Sequence, residues 1–269
     1  MKKSAIKRIL GISIASFIMM TFAACNSEKS NENKESSYSA DADESLQKVL
    51  DSGKFILGLD ATFKPMGYTD ENDEIVGFDI DVAEEVCSRL GVELVKEPIN
   101  WKTKEQDLNV GKIDCIWNGM SVNSGREEAM NLSEPYMKNS MIFVVGPSSE
   151  AKGMEDLKGK HTANTISSTY ATLAEKYGAE VKGVDDLNQT IELLLSNRID
   201  ATLNTEVTYY DYLKAHPDAN IKIAALSDEV EKVAIPVRKG DDTKTLLAAI
   251  NDALAKPVSY THLTLPTIL

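Results

Sequence analysis

The chain runs to 269 residues, with 42 acidic against 29 basic side chains and a net charge of −13. So acidic a body repels nucleic acid and anionic lipid headgroups, and no nucleic-acid partner is expected. His161, His216 and His262 share no metal-ligand spacing with one another or with the cysteines, so neither a metal nor a cofactor is expected.

Lys2, Lys3, Lys7 and Arg8 precede the apolar run "ILGISIASFIMMTFAA", a charged segment ahead of an apolar one, as in an export signal. The run is too short to span a bilayer comfortably. Its boundary "FAAC" resembles a bacterial lipobox, in which residues 1–24 are cut away and Cys25 becomes a lipidated first residue. The expectation is an exported protein held on the cell membrane through Cys25, facing the extracellular side or periplasm. Cleavage would remove four positive charges and leave the body more acidic still. Residues 25–45 carry almost no large apolar side chain and read as a disordered tether.

Beyond the tether, strand and helix patterns alternate. "KFILGL" reads as a strand, and the stretch "GFDIDVAEEV" opens a helix. Ile80, Ala83, Cys87 and Leu90 recur at steps of three and four and mark its buried face. Asp79 is placed as N-cap, with Asp81 and Glu84 in the first turns where the dipole favours negative charge, and the other acids face water. Carboxylates spread over one helix surface cannot oppose each other across a cleft, as glycoside hydrolysis requires.

Next, "KTKEQDLNVGKIDCIWNGM" reads as a helix, a turn at Gly111 and a strand opening Ile-Asp. The same plan returns in "NQTIELLLSNRIDATLNTE", turning at Asn197. Ile113 and Ile199 lie too far apart for a solenoid repeat, so two similar lobes are expected. Between them, "GMEDLKGKHT" misses phosphate-loop spacing by one residue and has His161 where Ser or Thr is needed, so it reads as a loop and turn. "KHTANTI" is then a strand leading into the helical "STYATLAEKYG". No G-x-S-x-G elbow occurs. Cys87 and Cys115 read as buried free thiols. The closing helical run "TLLAAINDALAK" gives way to "VSYTHLTLPTIL", which resembles translated sequencing adapter. Residues 258–269 are therefore set aside, with the natural C-terminus taken as replaced and the chain expected to be less stable for it.

Alternation of this kind builds parallel-rich sheets covered by helices, and ligands sit beyond the carboxyl ends of such strands. Four segments hold that position: "DATF", "NGMS", "SSTY" and "NTE". Arg126, in "GMSVNSGREEAMNLSEPY", offers a planar fork for a carboxylate. Spacing alone, however, reads it as a surface arginine paired with Glu127 or Glu128.

From about Gly53 to Lys256 the chain resembles the extracellular solute-binding proteins, family 3, of polar amino-acid ABC transporters. The resemblance is carried by "GFDIDVAEEVCSRL", with "LGLDATFKPMGY", "GMSVNSGREEAMNLSEPY" and "NRIDATLNTEV" in order. It implies an α/β periplasmic-binding-protein type II fold, two lobes each with a central sheet flanked by helices and joined by two hinge strands. Lobe 1 would comprise residues 53–143 plus 234–256, and lobe 2 residues 144–233. The resemblance also implies site roles. Arg126 would hold a ligand α-carboxylate, helped by Ser121 and backbone groups at Gly119, while Ser168 and Thr169 grip it from a helix start across the cleft. Ser167 stands where many relatives have glycine. Phe63 and Trp101 would line the side-chain slot, and Asp60 would help set ligand choice. Relatives often place an aspartate where this chain has Thr205, which leaves Asp60 or Glu206 to pair the ligand ammonium.

The resemblance further implies a monomeric, non-enzymatic component of an ABC importer that captures a free polar amino acid, cystine among them, and delivers it to a membrane permease. Two alternatives are an enzyme similar to cyclohexadienyl dehydratase on the same fold and a sensory amino-acid-binding lipoprotein.

Overall fold

A computed structural model describes residues 43–256. Cys25, most of the expected tether and the segment 258–269 lie outside the described residues. The elements begin with α1 (Ser45–Ser52), β1 (Lys54–Leu59), β2 (Thr62–Phe63), β3 (Gly67–Thr69), β4 (Ile75–Val76), α2 (Phe78–Leu90) and β5 (Glu93–Pro98). They continue through α3 (Lys104–Asn109), β6 (Cys115–Ile116), α4 (Ser124–Ala129), β7 (Met130–Leu132) and β8 (Met137–Val145). Next come β9 (His161–Thr165), α5 (Thr169–Lys176), β10 (Glu180–Val184), α6 (Leu187–Leu195), β11 (Ala201–Thr205) and α7 (Glu206–Ala215). The long strand β12 (Lys222–Val233), β13 (Pro236–Arg238) and α8 (Lys244–Ala255) complete the order.

Two mixed sheets divide these strands. The first has the order β5-β1-β6-β13-β7 and the second β10-β9-β11-β8-β12, with a small antiparallel ribbon β2-β3-β4 beside the first. The chain passes between sheets from β7 into β8 and returns from β12 into β13. β8 and β12 pair antiparallel from Met137 opposite Val233 to Val145 opposite Lys222, with register shifts near Leu226. These two strands join the lobes. The boundary expected after Phe143 falls inside β8, all of which lies in the second sheet, while that before Ala234 falls at the end of β12.

The two Ile-Asp repeats occupy equivalent places. α3 turns at Gly111 into β6, and α6 turns at Asn197 into β11, both turn residues having positive φ. The resulting strands sit beside β1 and β9.

On α2 Ile80, Ala83 and Cys87 are buried as the spacing predicts, Val86 joins them, and Leu90 is half-buried. Each large aliphatic side chain buried there contributes about 1.5–3 kcal/mol. The N-terminus differs from the expectation, since the N-cap is Gly77, not Asp79. Gly77 has φ 132°, and a Cβ there would lie 2.5 Å from the Met66 carbonyl oxygen and 2.7 Å from that of Pro65. Those same carbonyls accept from the amides of Phe78 (3.0 Å, to Pro65) and Asp79 (2.9 Å, to Met66). The first helical donors are thus satisfied by a neighbouring loop, and Asp79 is released from capping. Its carboxylate is fully buried.

One helix precedes the start expected near Gly53. α1 buries Val49 against α8, and Asp43 fastens the two together. The Asp43 carboxylate accepts from the Ser45 amide at 2.9 Å and the Thr245 amide at 2.6 Å, so one side chain serves the N-termini of two helices. Cys87 and Cys115 are free and buried. Burial pushes the Cys87 thiol up to about 12 and Cys115 well above its ordinary value, which leaves both unreactive.

Candidate functional site

Strand ends of both sheets converge on one cavity. From the first lobe it is lined by Asp60, Phe63, Trp101, Asn118, Gly119, Met120, Ser121 and Arg126, and from the second by Thr165, Ser168, Thr169 and Tyr170. The empty space, counted to its open mouth, is about 380 Å³.

Arg126 contradicts the surface reading that spacing alone supports. Asn123 caps the short α4 by accepting from the Arg126 amide at 2.9 Å, which turns the side chain inward while Glu127 and Glu128 stay exposed. Arg126 is only 8 % exposed. Its Nη1 donates to the Ser121 carbonyl at 2.6 Å, and among the described residues it makes no ion pair. Burial lowers its pKa, with the neighbouring Tyr170, Glu231 and Glu105 opposing the shift, yet a guanidinium stays charged in any ordinary buffer. A buried cation of this kind calls for an anion.

The second lobe supplies donors opposite it. Ser168 is the N-cap of α5 and accepts from the Ala171 amide at 3.2 Å, which leaves its hydroxyl proton free to donate. Thr169 is the first residue of the helix, whose unpaired amides and dipole favour negative charge. Ser167, just before the cap, has φ 61°. Glycine reaches this left-handed region without strain, so the serine occupies a glycine-type backbone position.

The segment 118–122 is held from several sides. Asn118 Oδ1 accepts from the Asp60 amide at 3.1 Å. The Met120 carbonyl accepts from Ala234 at 3.0 Å, and the Val122 amide donates to Lys232 at 2.7 Å, so the segment is tied to the end of β12. Gly119 has φ 62°, and a Cβ there would come within 3.0 Å of the Phe63 ring. Its amide donates to Asp79 Oδ2 at 2.7 Å. Of the backbone groups expected to meet a ligand carboxylate at Gly119, the N–H is therefore occupied, and its carbonyl is left to accept.

At the other end of the cavity, Asp60 Oδ1 accepts from the Thr62 amide at 2.9 Å and hydroxyl at 2.7 Å. Burial raises the Asp60 pKa, the Thr62 hydrogen bonds oppose the rise, and the charge of Asp186 adds to it. Asp186 belongs to the second lobe, where it caps α6. Trp101 is backed by Lys104, whose Nζ lies 5.2 Å from the ring centre and donates to the Trp101 carbonyl at 3.2 Å.

The cavity thus brings together Asp60, Phe63, Trp101, Gly119, Ser121, Arg126, Ser168 and Thr169. Thr205 and Glu206 are not among its lining residues. Thr205 is buried as the N-cap of α7, its hydroxyl sharing a 2.8 Å hydrogen bond with that of Thr208, and Glu206 opens the helix. Sequence reasoning does not single out Asn118, Met120 or Tyr170 individually, although each lies in one of the four strand-end segments. Thr165 precedes its segment by two residues and carries no sequence signal of its own.

The family described as bacterial extracellular solute-binding proteins, family 3, matches residues 55–259. The chain is similar to the L-cystine-binding protein TcyA of Bacillus subtilis (strain 168), at 29 % identity over 242 residues, covering 89 % of this chain and 87 % of TcyA. Among solved structures it is similar to an ancestral arginine-binding protein bound to arginine, with TM-score 0.70 and 34 % identity over 75 % of this chain and 91 % of that one. It is also similar to the ancestral amino acid-binding protein AncCDT-1, a precursor of cyclohexadienyl dehydratase, with TM-score 0.70 and 26 % identity over 78 % of this chain and 91 % of that one. The two-lobed architecture is that of the periplasmic-binding-protein type II fold.

Proposed function

The chain belongs to the bacterial extracellular solute-binding proteins, family 3, and on that premise we propose that it captures one free polar amino acid between its lobes for delivery to an ABC permease. The observation that carries this reading is Arg126, a buried guanidinium without an ion-pair partner among the described residues, facing a helix N-terminus across the cavity. A ligand carboxylate reached from both lobes at once would pair with it directly, so ligand favours the closed arrangement.

The opposite end of the cavity carries the complementary charge. Asp60 is a buried carboxylate within the field of Asp186, flanked by Phe63 and Trp101. A ligand with a second positive group fits there, whether a guanidinium or the second ammonium of cystine, and both chemistries occur among the named relatives. Asp60 is the partner we assign to that group. The ligand's own ammonium would take the Gly119 carbonyl, with Glu206 brought up by closure of the lobes. No bond is made or broken. In this reading Cys25 carries the lipid that holds the protein on the outer face of the membrane.

A panel of amino acids plus cystine, added singly during thermal melts, tests the proposal. A ligand that binds only the folded state raises the melting temperature, by roughly 3 kcal/mol of added stability at a hundredfold excess over Kd. A clean melt that no member of the panel moves would rule the reading out.

A further inference from the structure

Asp79 lies outside the cavity, yet it touches both the floor of the site and the foot of the hinge. Its Oδ2 accepts from the Gly119 amide at 2.7 Å, and its Oδ1 accepts from the Tyr136 hydroxyl at 2.7 Å. Gly119 lines the cavity two residues before Ser121, whose carbonyl holds the Arg126 guanidinium. Tyr136 is the residue immediately before β8, and its amide donates to the Val233 carbonyl at the end of β12 at 3.0 Å. The phenol ring is packed against Trp117 at 5.9 Å and Phe78 at 6.5 Å between centroids. One carboxylate therefore links the anion-binding segment to the base of both strands on which the lobes turn.

We infer that Asp79 is a positioning residue for ligand capture, fixing the Gly119–Arg126 segment and the foot of the hinge in one arrangement through its two hydrogen bonds. The inference rests on the reading of the cavity as an amino-acid site.

An apolar side chain would serve equally well if α2 needed only packing at this position, because the helix start is satisfied by Pro65 and Met66. A buried carboxylate is instead costly, and it is retained where two fixed donors converge. Burial pushes the Asp79 carboxyl up to about 7, against the opposing hydrogen bonds from Tyr136 and Gly119. The ionised form accepts both bonds. Protonation removes the charge and weakens both charge-assisted bonds, so capture should weaken as pH falls below neutrality. Among the described residues Tyr136 is the titratable group at hydrogen-bond distance from Asp79. Lys96 of β5 pairs with Glu84 at 2.9 Å, and the helix's own Arg89 reaches the Ala253 carbonyl of α8 at 2.5 Å, both on later turns of α2.

The test is titration calorimetry of the whole chain with L-arginine, L-histidine and L-cystine between pH 5.5 and 8, comparing the parent with Asp79→Asn, Asp79→Leu and Tyr136→Phe. Asparagine can accept from Gly119 and donate to Tyr136 without charge, so the affinity of Asp79→Asn should change less with pH than that of the parent. The parent should lose roughly tenfold from pH 8 to pH 5.5, and Asp79→Leu, which strands both donors, roughly tenfold at every pH. Asp60 is present in parent and Asp79→Asn alike, so the difference between their profiles belongs to Asp79. Identical profiles for the two, or a folded Asp79→Leu that binds like the parent, would overturn the inference while leaving the amino-acid reading in place. A parent that binds none of the three probes, and no other amino acid, would remove both.

Discussion

Asp114 and Asp200 perform the same task in the two lobes. The Asp114 amide donates to the Ile56 carbonyl at 2.8 Å while its Oδ2 accepts from the Ile56 amide at 2.7 Å. Asp200 does the same with His161, at 2.8 Å in both directions. Each Ile-Asp repeat thus closes a two-point clasp on a neighbouring strand of its sheet, β1 in one lobe and β9 in the other. The setting differs, since Asp114 is largely buried and Asp200 is exposed. Asp114→Ala should therefore cost about 1–3 kcal/mol by leaving the Ile56 amide unsatisfied, and Asp200→Ala under about 1 kcal/mol because water can replace it. Urea unfolding of the two variants compares them, and equal losses would deny the difference in burial.

That clasp separates what is legible in the sequence from what is not. The repeat is a local pattern of helix, turn and Ile-Asp strand, and local patterns survive folding, so the two-lobed plan and the strand-end segments of the cavity can be read directly. The inward face of α2 is legible for the same reason. Asp79 is misplaced by sequence reasoning because the cap of α2 is supplied by carbonyls of the 65–66 loop, a tertiary contact with no trace in the helix's own residues. Spacing makes Arg126 a partner for Glu127 and Glu128, whereas the Asn123 cap turns it inward. α1 escapes notice because Val49 is its one buried residue and the flanking composition is polar. Thr205 ends its strand where a pocket residue is expected, but its hydroxyl is spent on starting α7.

Arg126 places function and stability in opposition. A buried cation without an ion pair among the described residues destabilises the unliganded fold, whereas in the proposed function a carboxylate ligand needs it. Arg126→Met should melt no lower than the parent without ligand and lose ligand binding by more than about a hundredfold, the loss expected when a charged hydrogen-bonding partner is removed. Arg126→Lys should recover little, because a point charge cannot replace the bidentate fork. Calorimetry and melts on the same samples check both halves.

Ser167 holds a left-handed backbone at φ 61° directly before the α5 cap. Replacing it with glycine removes a strain of about 1 kcal/mol, offset in part by greater freedom of the unfolded chain. Ser167→Gly should be neutral to slightly stabilising, and Ser167→Val clearly destabilising. A glycine variant that melts well below the parent would show that the serine hydroxyl matters more than its backbone.

Two aspartates should give opposite acid responses. The Asp43 carboxyl resists a raising effect of burial and is held at about 2, below its ordinary 3.8, by hydrogen bonds from Ser45 and Thr245. Its stabilisation is present above the unfolded value and lost as pH falls from about 4 to 2, so the cost of Asp43→Ala, about 1 kcal/mol at neutral pH, should shrink over that window. Asp79 is raised to about 7 by burial. Its contribution is fully present below its unfolded value and lost as pH rises through 7. Melting temperatures should accordingly favour Asp79→Asn over the parent increasingly from pH 5 to pH 8. A gap that stays constant with pH would place the ionisation of Asp79 elsewhere.

If the buried Arg126 waits for the α-carboxylate of one amino acid, removing that carboxylate from the ligand should abolish capture. The whole chain is titrated with the amino acid that most raises its melting temperature and, separately, with the amine left when that amino acid loses its carboxylate. Tight one-to-one binding of the acid is expected, with a loss of more than about a hundredfold for the amine and with Arg126→Ala reducing the acid to the level of the amine. Comparable binding of acid and amine by the parent would contradict carboxylate capture by Arg126.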